Sequence, residues 1–342
     1  MLEGQKKVFI IAEVSANHRG DIEKAKQIIR AAAESGADAI KLQTYTADCL
    51  TLNSNLPDFK LPNGSPWIKY KNYHGLYSQS FTPWDWHTEL FNEAKNYGLV
   101  PFSSPFSESA VDFLESIECE IYKLASPEIN FISLIRKIAR TGKPIIISLG
   151  TASREDLEMA IKEFRAISKS KISILQCDSS YPAKPEESNI RLINYLATEY
   201  GLEVGYSDHT TSSLSAVIAV ANGATIVEKH LTLGESEDEI DGFFSANPGQ
   251  FKKFCSDIRE CESILGLPNF RRLDSNEISE KQRSIYLRSN LAKGDEVKSE
   301  DLAVVRPGLS IHPRELDKLV GKIAVRDLQR GERLSLKDFS NK

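Results

Sequence analysis

Five side chains that could do chemistry, Glu13, Lys41, Lys123, His209 and His230, each lie at or near the end of a short apolar run. A lysine in a run buried on both faces needs a counter-charge, because an unpaired buried ammonium is costly or loses its proton. Lys41 and Lys123 therefore require an anion, either a carboxylate of the chain such as Glu13 or Glu128, or an anionic ligand. Hydroxyls at further run ends, Ser104, Ser126, Ser148 and Ser207, can donate to phosphate or carboxylate oxygens, so a small phosphorylated acid fits the set. His209 and His230 close consecutive runs. Imidazoles so placed can share one coordination sphere and leave positions for substrate oxygens and water, which suits a Lewis-acid divalent metal. Glu13 could position water, move a proton or stabilise developing positive charge.

These residues become neighbours only if the runs are strands of one sheet. Apolar runs at 8–13, 39–43, 99–103, 121–125, 144–148, 172–176, 203–207 and 225–229 alternate with amphipathic segments, the pattern of parallel strands joined by crossover helices. Eight such units predict a closed (β/α)8 TIM barrel, whose strand carboxyl ends would gather the polar residues at one mouth. Asp21 predicts the cap of a helix that Gly36 ends, and Ser153 with Asp156 predicts another helix start. The segment 48–83 is long, aromatic and weakly periodic, as a functional barrel loop would be. A polar stretch then divides the chain into a catalytic barrel domain at 1–266, a linker at 267–283 and a small, mostly β domain at 284–342. That last domain echoes itself in the turns Gly294-Asp295 and Gly331-Glu332.

Composition excludes several classes. A net charge of −5 over 342 residues, with no run of basic residues, argues against a nucleic-acid or anionic-membrane partner. Five cysteines without a C-x-x-C spacing predict reduced, packed thiols and a cytoplasmic protein. The apolar run at 8–12 is too short for a signal-peptide core or a membrane span. His18, His74 and His87 fall in a loop or on a surface-patterned segment, where structural roles are expected.

The strand-end residues stand within longer stretches: Ala12-Glu13-Val14-Ser15-Ala16-Asn17-His18-Arg19-Gly20, Lys41-Leu42-Gln43, Phe102-Ser103-Ser104-Pro105-Phe106 and Tyr122-Lys123-Leu124-Ala125-Ser126. Tyr181-Pro182, Gly205-Tyr206-Ser207-Asp208-His209 and Glu228-Lys229-His230 follow, with Val305-Arg306-Pro307-Gly308 and Leu319-Val320-Gly321-Lys322 in the tail. Through them almost the whole chain resembles the sialic acid synthase family. Leu50-Thr51-Leu52-Asn53-Ser54, Leu76-Tyr77 and Thr82-Pro83-Trp84-Asp85-Trp86-His87 are most similar to its pseudaminate-forming branch.

The resemblance implies a TIM barrel followed by an antifreeze-like (SAF, β-clip) domain, in a domain-swapped homodimer. It implies condensation of phosphoenolpyruvate with a 2,4-diacetamido-2,4,6-trideoxy hexose of the altrose type and water, giving a nine-carbon sugar acid for cell-surface polysaccharide or flagellin glycosylation. His209 and His230 would hold manganese, with magnesium or cobalt as alternatives. Glu13, Lys41 and Lys123 would be catalytic. Ser104, Ser126, Ser148, Ser179 and Ser207 would bind phosphoenolpyruvate, while Gln43, Glu128, Tyr181 and Asp241 address the sugar and Arg306 reaches in from a partner. Two departures stand out: relatives usually carry Thr at the position of Asp178 and often Asn at that of Ser179, and an acidic run at 234–242 replaces their usual stretch.

Other readings of the same residues remain open. N-acetylneuraminate or legionaminate synthesis would use the same chemistry on another amino sugar. Lys41 or Lys123 could instead form a Schiff base in a pyruvate aldolase. A non-catalytic sugar- or ice-binding protein would have no need of Glu13, both lysines and the histidine pair together.

Overall fold

A computed structural model describes residues 7–234, 239–266 and 281–342. The chain forms two compact units, Met1–Leu267 and Pro268–Lys342. The expected linker lies outside the described residues as far as residue 280, as do residues 235–238 of the acidic run.

In the first unit eight strands pair in parallel and in sequence order: β1 Phe9–Glu13, β2 Ala39–Thr44, β3 Val100–Pro105, β4 Tyr122–Leu124, β5 Ile145–Ser148, β6 Ile172–Cys177, β7 Glu203–Asp208 and β8 Ile226–His230. Pairing of β8 with β1 closes the barrel. The predicted fold is therefore observed, with strand limits displaced by one or two residues. The same register sets Glu13 beside Lys41 on one side and His230 on the other.

Side chains alternate between the barrel interior and the helical layer. On β5, Ile145 and Ile147 are fully buried, while Ser148 faces the carboxyl-end mouth. On β8, Glu228 and His230 line that mouth, whereas Lys229 lies 2.9 Å from the buried Asp208 carboxylate and 5.4 Å from the Phe254 ring centre. Burying an Ile or Leu side chain contributes ~1.5–3 kcal/mol relative to exposure. The continuous aliphatic stripes of the strands and of helices such as Ile22–Ser35 therefore hold the barrel rigid beneath its polar rim.

The helix starts lie where the sequence signals them. Asp21 accepts a hydrogen bond from the Glu23 amide, and Gly36, at φ +95°, ends the same helix in the left-handed region. Ser153 and Asp156 form a reciprocal capping box.

The long second loop is more ordered than its weak periodicity suggests. It contains the helix Tyr73–Ser80 and several single turns, and the helix His87–Asn96 follows it. His87 and His18 have structural roles, but neither occupies a surface face: both are buried. His87 bonds to Thr44 at 2.8 Å, and His18 to Thr82 at 3.1 Å. Burial pushes both imidazoles down to about 4, so they stay neutral hydrogen-bonding groups that fasten the loop to the barrel. His74 bonds to Asp48 at 3.1 Å.

In the second unit, β9 Ser284–Leu287 pairs antiparallel with β10 Leu302–Val305, and β11 Ile323–Ala324 with β12 Phe339–Ser340. Ile285, Leu302, Leu319 and Phe339 are among its core residues. The internal echo is structural, since Gly294 and Gly331 turn the chain at φ +95° and +77°. All five cysteines are free, and four are buried. Among the described residues no helix is long and apolar enough to cross a membrane.

Candidate active site

Lys41 and Lys123 arrive from β2 and β4 with their ammonium groups inside the barrel mouth, each almost completely buried. The anion they require is present within the chain. Glu228 Oε1 lies 2.8 Å from Lys123 and 3.2 Å from Lys41, and Glu13 Oε2 lies 2.9 Å from Lys41. Lys41 thus has two carboxylates. Burial opposes its charge, yet Glu13 and Glu228 together raise its pKa, whereas Lys123 is lowered by burial, only partly offset by Glu228, and by repulsion from Lys41. Of the two, Lys123 is the easier to deprotonate.

Glu13 is held on all sides. Gln43 donates to its Oε1 at 2.7 Å, and Lys41 and His230 Nε2 meet its Oε2 at 2.9 and 3.0 Å. Burial raises its pKa, but His230 and Lys41 outweigh that effect and keep the carboxyl well below the usual range.

His209 Nδ1 donates to the Asp178 carbonyl at 2.6 Å, which leaves its Nε2 lone pair available to the cavity. Burial, aided by the neighbouring His230, lowers its pKa to about 3. The two rings stand 5.3 Å apart, and His230 Nδ1 is buried without a partner. This donor set fits a divalent cation bound through two imidazoles. Among the described residues no group of three or more His, Cys, Asp or Glu side chains is arranged to hold one, and two imidazoles leave coordination positions open to water or substrate oxygens.

Ser104, Ser126, Ser148 and Ser207 line the same mouth. Ser104 and Ser148 have buried Oγ atoms with no partner, which fits donors reserved for a ligand. Ser207 donates to Glu228 at 3.0 Å, and Ser126 and Ser179 share a hydrogen bond at 3.0 Å. Gly150 packs tightly against that serine pair. Asp178 turns its carboxylate back onto the Ser180 amide at 2.6 Å, which gives this departure a local structural role.

Glu13, Lys41, Gln43, Ser104, Lys123, Ser126, Ser148, Tyr181, Ser207, His209 and His230 all line one cavity of about 70 Å³. A second cavity of about 240 Å³ shares Gln43, Tyr181 and His230 with it and adds Asp241. Asp241 bonds to Ser15 and, at 3.3 Å, to the Ala16 amide, and burial raises its pKa. Glu128 follows Ser126 in a single turn, with one carboxylate oxygen buried and unpartnered, and burial pushes it up to about 7. Arg306 belongs to the second unit, where it lines a separate cavity with Arg288, Arg330 and Arg333. A roomier cavity of about 420 Å³ opens at the amino ends of the strands, lined by Phe9, Ile121, Pro144 and Ile146. Its Lys171 is paired with Glu203 at 2.6 Å, and it lies away from the converging polar groups.

Glu228 stands in the stretch Glu228-Lys229-His230 but was not among the residues expected in the site. Its signal was the two-residue strand period: if His230 faces the mouth, so does Glu228.

The NeuB family profile matches residues 28–269 and the SAF domain profile residues 282–340. The pseudaminic acid synthase of Campylobacter jejuni is 40% identical over 338 residues, covering 98% of this chain and 97% of that one. The N,N'-diacetyllegionaminic acid synthase of Legionella pneumophila is 34% identical, covering 95% of this chain and 93% of that one. The crystal structure of an N-acetylneuraminic acid (sialic acid) synthetase from Leptospira borgpetersenii, in complex with citrate, superposes with a TM-score of 0.69 at 31% identity, over 79% of this chain and 89% of that one. With one profile spanning most of the barrel unit, a second matching the tail module, and full-length relatives at about 40% identity, the chain belongs to the NeuB family.

Proposed function

We propose that the chain condenses phosphoenolpyruvate with a 2,4-diacetamido-2,4,6-trideoxy hexose of the altrose type and water, yielding pseudaminic acid and phosphate. The observation that carries this reading is the pair of unpartnered hydroxyls, Ser104 and Ser148, in one cavity with Lys41 and Lys123. Full-length similarity to a pseudaminic acid synthase, above that to a diacetyllegionaminic acid synthase, supports the choice of sugar.

In this mechanism Lys41, Lys123, Ser104, Ser126, Ser148, Ser179 and Ser207 bind the phosphate and carboxylate of phosphoenolpyruvate. Gln43, Glu128, Tyr181 and Asp241 hold the open-chain sugar. His209 and His230 would hold a divalent metal, manganese first, which when bound supplies Lewis-acid activation of the sugar aldehyde. The vinyl carbon bonds to the aldehyde carbon as the carbonyl π pair moves onto the aldehyde oxygen, which ends as a hydroxyl with the proton released by the added water. This leaves a cationic, oxocarbenium-like centre on the carbon that bears the phosphate ester. Glu13, fixed by Lys41, Gln43 and His230, stabilises that centre and orients the water that adds to it. The tetrahedral adduct then breaks its carbon–oxygen bond to release phosphate, whose charge Lys41 and Lys123 neutralise.

We place the enzyme in the cytoplasm, as a domain-swapped homodimer in which Arg306 of one copy reaches the sugar bound by the other. The test is phosphate release from phosphoenolpyruvate with manganese, offering in parallel the altrose-type diacetamido sugar, its legionaminate counterpart and N-acetylmannosamine. Release with the first alone is expected. Release with another sugar reassigns the substrate, and silence with all three overturns the reaction.

A further inference from the structure

The cavity of about 240 Å³ beside the reaction site is walled mainly by carbon. Five of its thirteen lining residues come from the long second loop, whose Leu61 and Leu76 form a small core with Ala16 and Ile240, against which Trp67, Tyr73 and Tyr77 pack. Tyr73 and Tyr77 are stacked, with centroids 6.1 Å apart, and Tyr45 meets Tyr77 edge-on at 6.0 Å.

The polar handles of two of these rings are already engaged. The Tyr45 hydroxyl bonds to Ser80 at 2.8 Å, and the Trp67 indole donates to the Ile240 carbonyl at 2.8 Å. What those two rings chiefly offer a ligand is apolar surface. The other polar groups of the chamber are Ser15, Gln43, His230, Asp241 and the phenol hydroxyls at the rims of Tyr73, Tyr77 and Tyr181, with Asp241 an acceptor suited to an amide N–H.

Because the two cavities share Gln43, Tyr181 and His230, a sugar with its aldehyde at the histidines has room to place its far carbons in this chamber. A hydroxyl set against the carbon faces of these rings would lose water without gaining a partner, whereas a methyl group would gain from leaving water. We propose that the Tyr73–Tyr77 wall, with Trp67 behind it, is the specificity pocket that receives the C6 methyl and the methyl of the C4 acetamido group, and so selects deoxy, diacetamido sugars over polyhydroxylated ones. This assignment rests on the phosphoenolpyruvate condensation proposed above.

The test compares kcat/KM for three open-chain-competent sugars with the manganese-loaded full chain and phosphoenolpyruvate: the trideoxy diacetamido sugar, its 6-hydroxy counterpart, and its 4-hydroxy counterpart. Wild type should favour the first over each of the others by on the order of 100-fold. Tyr77→Ser, and independently Tyr73→Ser, should reduce that ratio about tenfold or more while leaving KM for phosphoenolpyruvate unchanged. Trp67→Phe keeps the carbon wall and should keep the ratio. A ratio does not depend on how much of a variant folds, so partial misfolding cannot imitate the result. An unchanged ratio in both tyrosine variants, or no preference in wild type, overturns the proposal. If wild type turns over none of the sugars, the condensation reading fails by itself, and calorimetric binding decides the pocket. Tighter binding of the trideoxy sugar that weakens in Tyr77→Ser sustains it, and equal or absent binding refutes it.

Discussion

Glu228 Oε1 lies 2.8 Å from Lys123 Nζ in the closed interior of the barrel mouth, and the same oxygen lies 3.2 Å from Lys41. One carboxylate therefore holds two ammonium groups from different strands. Those lysines are the proposed seat of phosphoenolpyruvate, so the ligand must take over part of the neutralisation that Glu228 provides.

Glu228→Gln should therefore be unstable alone and rescued by ligand. Removing one partner of a buried pair typically costs ~3–5 kcal/mol, and the variant should melt well below wild type in thermal unfolding. Because an anion that binds the folded state restores the missing charge, added phosphoenolpyruvate should raise its Tm by more than it raises that of wild type. Equal ligand-induced shifts would show that Glu228 and the ligand do not share the lysines.

Glu13→Gln should spare binding and suppress turnover. Gln keeps the shape but not the charge that faces the developing cation, and losses of ~10²–10⁴-fold are usual for such groups. Steady-state phosphate release should show the fall in kcat with little change in KM for phosphoenolpyruvate. Near-full activity would remove Glu13 from the chemistry.

The barrel was legible because each strand is a short run of β-branched or aliphatic residues closed by a polar one, a signal carried within five or six residues. The site was legible for the same reason, since Lys41, Lys123, His209 and His230 stand out at run ends. Glu228 was hidden by its neighbours: in Glu228-Lys229-His230 alternate residues face opposite sides of the sheet, and Lys229 belongs with Asp208 in the helical layer. The aromatic loop at 48–83 was legible as a functional one, but the chamber it helps to wall was not. Trp67 meets the Ile240 carbonyl across 173 positions of sequence, and no local periodicity encodes such a contact.

Gly150→Ala should weaken phosphoenolpyruvate binding. At φ +23°, a Cβ on this residue would lie 2.5 Å from Ser126 Oγ and within overlap of Ser179 Oγ. It would push apart the serine pair that lines the proposed phosphate cradle. The expected result is a KM for phosphoenolpyruvate raised about tenfold or more with the sugar KM little changed, measured by varying each substrate in turn. An unaltered KM would place the phosphate away from these serines.

His209→Ala should lose activity that added manganese does not restore. The Nδ1 bond to the Asp178 carbonyl fixes the tautomer that presents Nε2 to the cavity, and alanine removes that donor. Manganese titration followed by electron paramagnetic resonance should show weakened binding in parallel with lost phosphate release. Unchanged metal affinity would exclude His209 as a ligand.

Glu128→Gln should stabilise the protein, and only at higher pH. Burial pushes the Glu128 carboxyl up to about 7, against about 4.3 in an unfolded chain. Below about pH 4 both states hold the proton and the fold bears no penalty. Between about pH 4 and 7 the unfolded chain releases its proton while the folded one keeps it, so stability falls as pH rises. Above about pH 7 the loss is complete, on the order of 3 kcal/mol before allowance for the solvent that reaches this half-buried group. Glutamine does not titrate and carries no such penalty. Calorimetric melting should therefore place the variant above wild type near pH 8, with the gap closing toward pH 4.5, while the KM for the sugar rises because a proposed contact is altered. A Tm gap that stays constant across this range would trace the change to packing rather than to the carboxyl proton.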